Sequence, residues 1–225
     1  MSFYGQAPEV LERVQGRGGE LQLQKRGEHY EFIYNGVFLM ATYNGAAESA
    51  AVRNALHILS GKFGQGLQVL LGGLGVGYSL QEALRWPQVE KVAVAEIEAK
   101  VIEWNYQYLY RYNGNALKDR RTCVVNTSFQ GYCSSSPSHA FHLVMVDTDN
   151  GSSWLSRPEN AQIYTDEGLT GIRRLLVPGG IACFFTPQRE ENLEQGLQGQ
   201  YQGIVFEEVM ESTGQQAGFY LAVKS

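Results

Sequence analysis

Positive charge is scarce in this chain. Lys and Arg number 18 against 23 Asp and Glu over 225 residues, giving a net charge of −5. Phosphate affinity needs clustered Lys and Arg, so generic nucleic-acid binding is disfavoured. No apolar run approaches the roughly 20 residues of a membrane helix, so no membrane association is expected. The opening stretch, MSFYGQAPEVLERVQ, lacks the charged-then-apolar pattern of a secretory signal. Cysteine is sparse too: Cys123, Cys133 and Cys183, with no CxxC pair. That argues against a disulfide framework or a zinc site and predicts a reducing, cytoplasmic setting. His29, His57, His139 and His142 are scattered and suggest neither a metal cluster nor a catalytic triad. There is no internal repeat and no long low-complexity tract; SSSPS at Ser134–Ser138 is a short polar loop. The length suits one domain with a small appendage.

What is present changes character near GKFGQG, Gly61–Gly66. Before it lie three short β-like runs, Glu20–Lys25, Tyr30–Tyr34 and Val37–Tyr43. Asn35-Gly36 joins the last two as a tight hairpin turn, since both residues tolerate positive φ. Ala46–Leu59 then reads as a helix with Val52, Leu56 and Leu59 on one face. After the break, strand patterns at Val69–Leu71, Val92–Ala95, Thr122–Val125, His142–Val146 and Ile181–Phe185 alternate with helical ones. The helices are expected at Ser79–Arg85, Ala99–Tyr110 and Asp166–Leu176, the last stopped by Pro178-Gly179-Gly180. Such alternation predicts a parallel sheet with helices on both faces. Ile204–Val209 and Gly218–Val223 form a terminal strand hairpin, making the sheet mixed. The expected fold is therefore α/β and Rossmann-like, with a seven-stranded, mostly parallel sheet ending in an antiparallel hairpin. A small N-terminal β region, residues 1–45, precedes the α/β domain, residues 46–225.

LLGGLGVGYS, Leu70–Ser79, follows the first strand of that alternation and opens a helix. Glycines at such a turn let the backbone bend sharply and approach a ligand. Gly72, Gly73, Gly75 and Gly77 are thus candidate cofactor-binding positions. The next strand ends at Glu96, where a nucleotide fold carries its ribose-binding acid. No Gly-Lys-Ser/Thr follows, so this is not a P-loop. An unrelated surface glutamate beside an ordinary tight turn is the competing explanation.

VMVDTDNGSSW, Val144–Trp154, runs from an apolar strand into Asp147, Asp149 and Asn150. In open α/β sheets the carboxyl ends of strands face the ligand crevice. Asp147 is therefore the candidate catalytic residue, as a general base or as an electrostatic attractor for a cation. Asp149 adds charge, and Trp154 offers a cation–π face. Turn formation accounts for Asp147 and Asn150 equally simply, and packing for Trp154. Hard oxygen ligands at 147, 149 and 150 also admit a magnesium reading.

Taken together, LQVLLGGLGVGYSLQEAL, KVAVAEIEAKVIEW, HLVMVDTDN and IYTDEGLTGIRRLLVPGGIACFF resemble the spermidine synthase family. Its members are polyamine aminopropyltransferases on the class I S-adenosylmethionine-dependent methyltransferase fold. The N-terminal hairpins resemble that family's small β domain. The resemblance implies that Glu96 binds ribose and that Asp147 is the base for the attacking amine. It implies that Asn126 stands where an Asp usually contacts the adenine amino group, and that Tyr164 lies near the substrate pocket. It implies a homodimer. Three departures stand out. Gly75 replaces the glycine-loop Asp that binds the aminopropyl amine. Asn150 replaces the second Asp of the catalytic segment. The family's Tyr-His-Glu has only Glu48 as a loose counterpart. Metal-dependent catechol-type O-methyltransferases carry a later Asp-Asn pair; Phe185-Thr186-Pro187-Gln188 lacks it, so no metal is expected.

The expected function is aminopropyl transfer from decarboxylated S-adenosylmethionine to a small-molecule amine. An S-adenosylmethionine-dependent methyltransferase with another acceptor is the first alternative, favoured by Gly75. A non-catalytic nucleoside-binding or scaffold protein is the second.

Overall fold

The computed structural model describes residues 7–149 and 151–225. Four antiparallel strands form a first sheet in chain order: β1 (Glu9–Gln15), β2 (Glu20–Arg26), β3 (His29–Tyr34) and β4 (Val37–Ala41). Three of these follow the sequence pattern. The fourth, β1, reads EVLERVQ, with Glu9, Glu12 and Arg13 among its seven residues, and pairs with β2 despite having no apolar run to announce it. Asn35 and Gly36 both take positive φ at the β3–β4 turn, at 49° and 77°.

The helix α1 (Ala46–Phe63) leads into a seven-stranded sheet. Its strands are β5 (Leu67–Gly72), β6 (Val89–Glu96), β7 (Thr122–Asn126), β8 (Phe141–Val146), β9 (Leu176–Thr186), β10 (Gln202–Met210) and β11 (Gln216–Val223). Their spatial order is β10-β11-β9-β8-β5-β6-β7. All neighbours pair in parallel except those of β11, which is antiparallel to both β9 and β10. The fold is thus the α/β architecture the pattern predicts.

Two apolar faces explain the order of the strands' side chains. Along β5, Val69 and Leu71 join one core cluster, while Leu70 joins the other. Along β8, Leu143 and Met145 separate from Val144 and Val146 in the same way. Burial on both faces is why these strands read as continuous apolar runs. One face carries α1, α2 (Tyr78–Leu84), α3 (Ala99–Trp104) and the small sheet. The other carries α4 (Phe129–Ser135), α5 (Asp166–Leu175) and α6 (Glu191–Gln198). In α5, Thr165 caps the N-terminus by accepting from the Gly168 amide, and Arg173 and Arg174 close the last turn. That charge order complements the helix dipole.

Two expectations need correction. The helix expected over 99–110 is α-helical only to Trp104 and continues as a π-helical turn, Asn105–Leu109. Asn105 Nδ2 donates both to the Val101 carbonyl at 2.8 Å and to Gly75 O at 2.9 Å. The widened turn thereby ties the helix to the glycine loop. The aromatic run here packs against the small sheet: Trp104 meets Phe32 edge-on at 5.5 Å, and Tyr108 meets Tyr30 at 5.8 Å. Finally, Pro178-Gly179-Gly180 lies within β9, where its pairing with β8 is irregular. The helix α5 has already ended at Leu175. Pro178 has no N–H to give a ladder, so it sits at this irregularity.

Candidate active site

The β5, β6 and β8 strands end side by side, at the point where the sheet's strand order reverses. Gly72 pairs with Ala95 on one side and Val146 on the other. The Asp147 amide then donates to Gly72 O, and the Gly73 amide to Ala95 O, each at 2.9 Å. These bonds bring the glycine loop, Glu96 and Asp147 to one rim, where open α/β sheets bind ligands. A cavity of about 490 Å³ opens there, a size suited to a nucleoside-sized ligand.

Gly73 has to be glycine. Its φ is +101°, and a Cβ would stand 2.3 Å from the Asp147 carbonyl oxygen. The loop therefore lies flush against the Asp147 backbone. Gly75 takes φ +54°, and Met40 from β4 lies over it, with Sδ 3.1 Å from the position of a Cβ. Gly73, Gly75 and Gly77 line the cavity, while Gly72, inside β5, supplies the strand end.

Glu96 is buried at the cavity wall. Its carboxylate accepts from the Leu74 amide at 2.9 Å and the Glu98 amide at 2.7 Å. Burial pushes its pKa up to about 7, against the pull of those amides. Glu98 accepts in turn from the Arg17 and Gly18 amides of the β1–β2 turn. That carboxylate fastens the small sheet over the rim.

Asp147 faces the same cavity. Among the described residues its carboxylate has no hydrogen-bond partner. Burial raises its pKa well above the ordinary value, and Glu48, Asp149 and Glu96 raise it further. No cation among the described residues offsets them. Glu48, in the first turn of α1, also lines the cavity. Burial and then Glu211 push its pKa up to about 7. Glu211 itself is used structurally: it accepts from the Gly45, Ala46 and Ala47 amides and caps α1, whose N-cap glycine has no side chain to do so.

The remaining expected residues divide. Asp149 lines the cavity, but it is 4% exposed and its carboxylate is consumed by its own loop. It accepts from the Ser156 amide at 2.7 Å, Ser156 Oγ at 2.8 Å, Asn160 Nδ2 at 3.0 Å and Thr148 Oγ1 at 2.9 Å. Trp154 is half-buried and lines the cavity. Tyr164 packs against the opposite core cluster and is not among the lining residues. Asn126 is exposed and outside the lining; its Nδ2 donates to the Glu96 and Ile97 carbonyls, bracing the end of β6. Asn150 lies outside the described residues. Among those described, no group of three or more His, Cys, Asp or Glu is gathered as metal ligands, and no helix is long and apolar enough to cross a membrane.

Tyr34, Met40, Glu98 and Arg157 also face the cavity, and only one of them is marked in the sequence. Tyr34 and Met40 sit in ordinary strand runs, and Arg157 is a lone cation in a loop. Glu98, two residues past Glu96, carried the only local signal.

Comparison with known proteins adds family context. The family model described as spermine/spermidine synthase domain matches residues 56–209. A polyamine aminopropyltransferase of Saccharolobus islandicus (strain L.S.2.15 / Lassen #1) is 30% identical over 112 residues, covering 50% of this chain and 36% of that protein. One from Saccharolobus solfataricus is 31% identical over 111 residues, covering 48% and 35%. The match thus spans about a third of those relatives' length. The crystal structure of spermidine synthase from Thermotoga maritima superposes with a TM-score of 0.81 at 17% identity, covering 96% of this chain and 73% of that one. At that identity the likeness is one of fold.

Proposed function

Because this chain belongs to the spermine/spermidine synthase domain family, we propose that it transfers an aminopropyl group from decarboxylated S-adenosylmethionine to a small-molecule amine. One observation carries the reading: among the described residues Asp147 and Glu48 face the cavity with no hydrogen-bond partner from another residue, and every charged neighbour that shifts Asp147 is negative. An all-acid end of a cavity attracts a sulfonium and an alkylammonium and repels a carboxylate. That favours the decarboxylated donor over S-adenosylmethionine itself.

The chemistry follows. The donor's ribose lies against Glu96 and its sulfonium toward Asp147. An acceptor enters as an ammonium ion and must lose a proton before its lone pair can attack. Asp147 takes that proton; its raised pKa narrows the gap to an ammonium near 10 and so makes it a better base than an ordinary carboxylate. The neutral amine attacks the carbon bonded to sulfur. The C–S pair leaves with sulfur, giving a neutral thioether, 5′-methylthioadenosine. Glu48 holds the ammonium end of the substrate. Gly75 lacks a carboxylate for the donor's own amine, and Glu48, which lines the same cavity, takes its place. Trp154 supplies a flat apolar wall against which an alkylammonium packs.

Methyl transfer is the second reading, and Gly75 favours it, since an uncharged loop does not select an aminopropyl amine. A side-by-side titration with the decarboxylated and ordinary donors separates the two. A tenfold preference, about 1.4 kcal/mol, for the decarboxylated donor is expected; the reverse preference selects methyl transfer. Binding of neither donor sinks both. Homodimer formation in a reducing cytoplasm completes the proposal. Exposed Val10 and Val37 on the outer strands of the small sheet support the first, and three free cysteines the second.

A further inference from the structure

We infer that Tyr34 and Arg157 read the base of the nucleoside ligand, donating hydrogen bonds to its neutral ring-nitrogen acceptors. The assignment rests on the nucleoside-donor reading above and adds residues that the glycine loop, Glu96 and Asp147 do not include.

Tyr34 closes β3 and is 5% exposed, yet its hydroxyl is buried without a partner among the described residues. Arg157 Nη1 is likewise buried and unpartnered. The two belong to one place. A Cβ on Gly18 would stand 2.2 Å from Tyr34 Oη and 3.0 Å from Arg157 Cγ. Both residues line the cavity that holds Glu96 and the glycine loop. Leaving a buried donor unpaired is costly, and keeping two side by side calls for a ligand that completes them.

The chemistry of that ligand follows from what surrounds the pair. A guanidinium only donates, so the missing group is an acceptor, which excludes an ammonium. The nearby carboxylates do not supply it. Glu98 is occupied by the Arg17 and Gly18 amides. Glu159 meets Arg157 only at Nε, at 3.5 Å, and its side chain is 65% exposed. Glu98 and Glu96, in the same wall, disfavour an anionic ligand group. A neutral acceptor remains. Ile97 and buried Phe129 give that wall apolar surface, and a planar guanidinium stacks on flat rings. A flat heteroaromatic base with ring-nitrogen acceptors meets every one of these conditions.

Calorimetric titration of 5′-methylthioadenosine into the wild type, Tyr34→Phe and Arg157→Met tests it. Each variant removes the donor and keeps most of the side chain's volume. Affinity should fall roughly tenfold in each, the ordinary worth of one buried hydrogen bond. The melting temperature of ligand-free Tyr34→Phe should hold or rise, because an unsatisfied hydroxyl has been deleted; a structural role would lower it. Competition by 5-methylthioribose, which lacks the base, should be unchanged by either substitution. Unaltered 5′-methylthioadenosine affinity in both variants overturns the assignment and leaves the nucleoside reading standing. An equal loss for 5-methylthioribose also overturns it. A wild type that binds no 5′-methylthioadenosine brings down the nucleoside reading and this assignment together.

Discussion

Replacing Glu48 by Gln should stabilise the ligand-free protein above neutral pH and slow transfer. The carboxylate lines the cavity, is met by no other residue's hydrogen bond among those described, and is pushed by burial and Glu211 up to about 7 from 4.5, against the pull of its own backbone amide. Between those values the folded chain holds a proton that the unfolded chain has released. Stability therefore falls as pH rises through that window and stays lower above it. A rise from 4.5 to about 7 corresponds to roughly 3 kcal/mol at full burial. Glu48 keeps some solvent contact through the cavity, which brings the figure to about 1–3 kcal/mol. For a chain of this length that is a melting-temperature gain of roughly 3–10 °C. Thermal unfolding of both proteins at pH 4.5 and pH 8.5 measures it. The variant should match the wild type at the acid pH and exceed it at the alkaline one. A variant no more stable than wild type at pH 8.5, or a gap of the same size at both pH values, refutes the reasoning. The same substitution removes the first charged neighbour raising the Asp147 pKa, so the acid limb of its pH–rate profile should move to lower pH.

The two aspartates of the β8 loop should behave in opposite ways. Asp147→Asn is expected to abolish turnover, leave donor binding largely intact and leave the melting temperature unchanged or higher, since its carboxylate has no partner to lose. Asp149→Ala strands the Ser156 and Asn160 donors and should cost about 2–4 kcal/mol in urea unfolding. Equal stability losses in the two would contradict this division. Gly73→Ala drives a Cβ onto the Asp147 carbonyl; a cost of about 3 kcal/mol or more, with loss of donor binding, should appear in denaturant midpoint and titration. Glu211→Ala leaves the N-cap amide and the first two amides of α1 without their acceptor. It should lower stability by about 2–3 kcal/mol and raise the KM for the amine, because Glu48 rides on that first turn; an unchanged melting curve would refute the capping role.

The corrections share a cause. Strand β1 is an edge strand that pairs with β2 alone and carries Glu9, Glu12 and Arg13, so no apolar run marks it. The π-helical turn depends on Asn105 reaching Gly75 O, 30 residues away in sequence. Asn126 sits beside a cavity-forming element, but its side chain is directed to the β6 carbonyls; Tyr164 packs on the second core cluster while its phenol stays beside Thr148, Asp149 and Asp147.

By itself the sequence determined the alternation of buried strands and amphipathic helices, the glycine turn after β5, and the acids ending β6 and β8. Those features are local: side-chain period and turn chemistry decide them within a few residues. Which carboxylate stays free was decided only by the tertiary structure. Asp149, Glu98 and Glu211 are spent on amides and side chains brought in from 7 to 166 residues away. Asp147 and Glu48 are left facing the cavity with only negative neighbours, and Tyr34 and Arg157 meet across Gly18. A carboxylate's role follows from the donors that reach it, and that is settled by packing between distant segments of the chain.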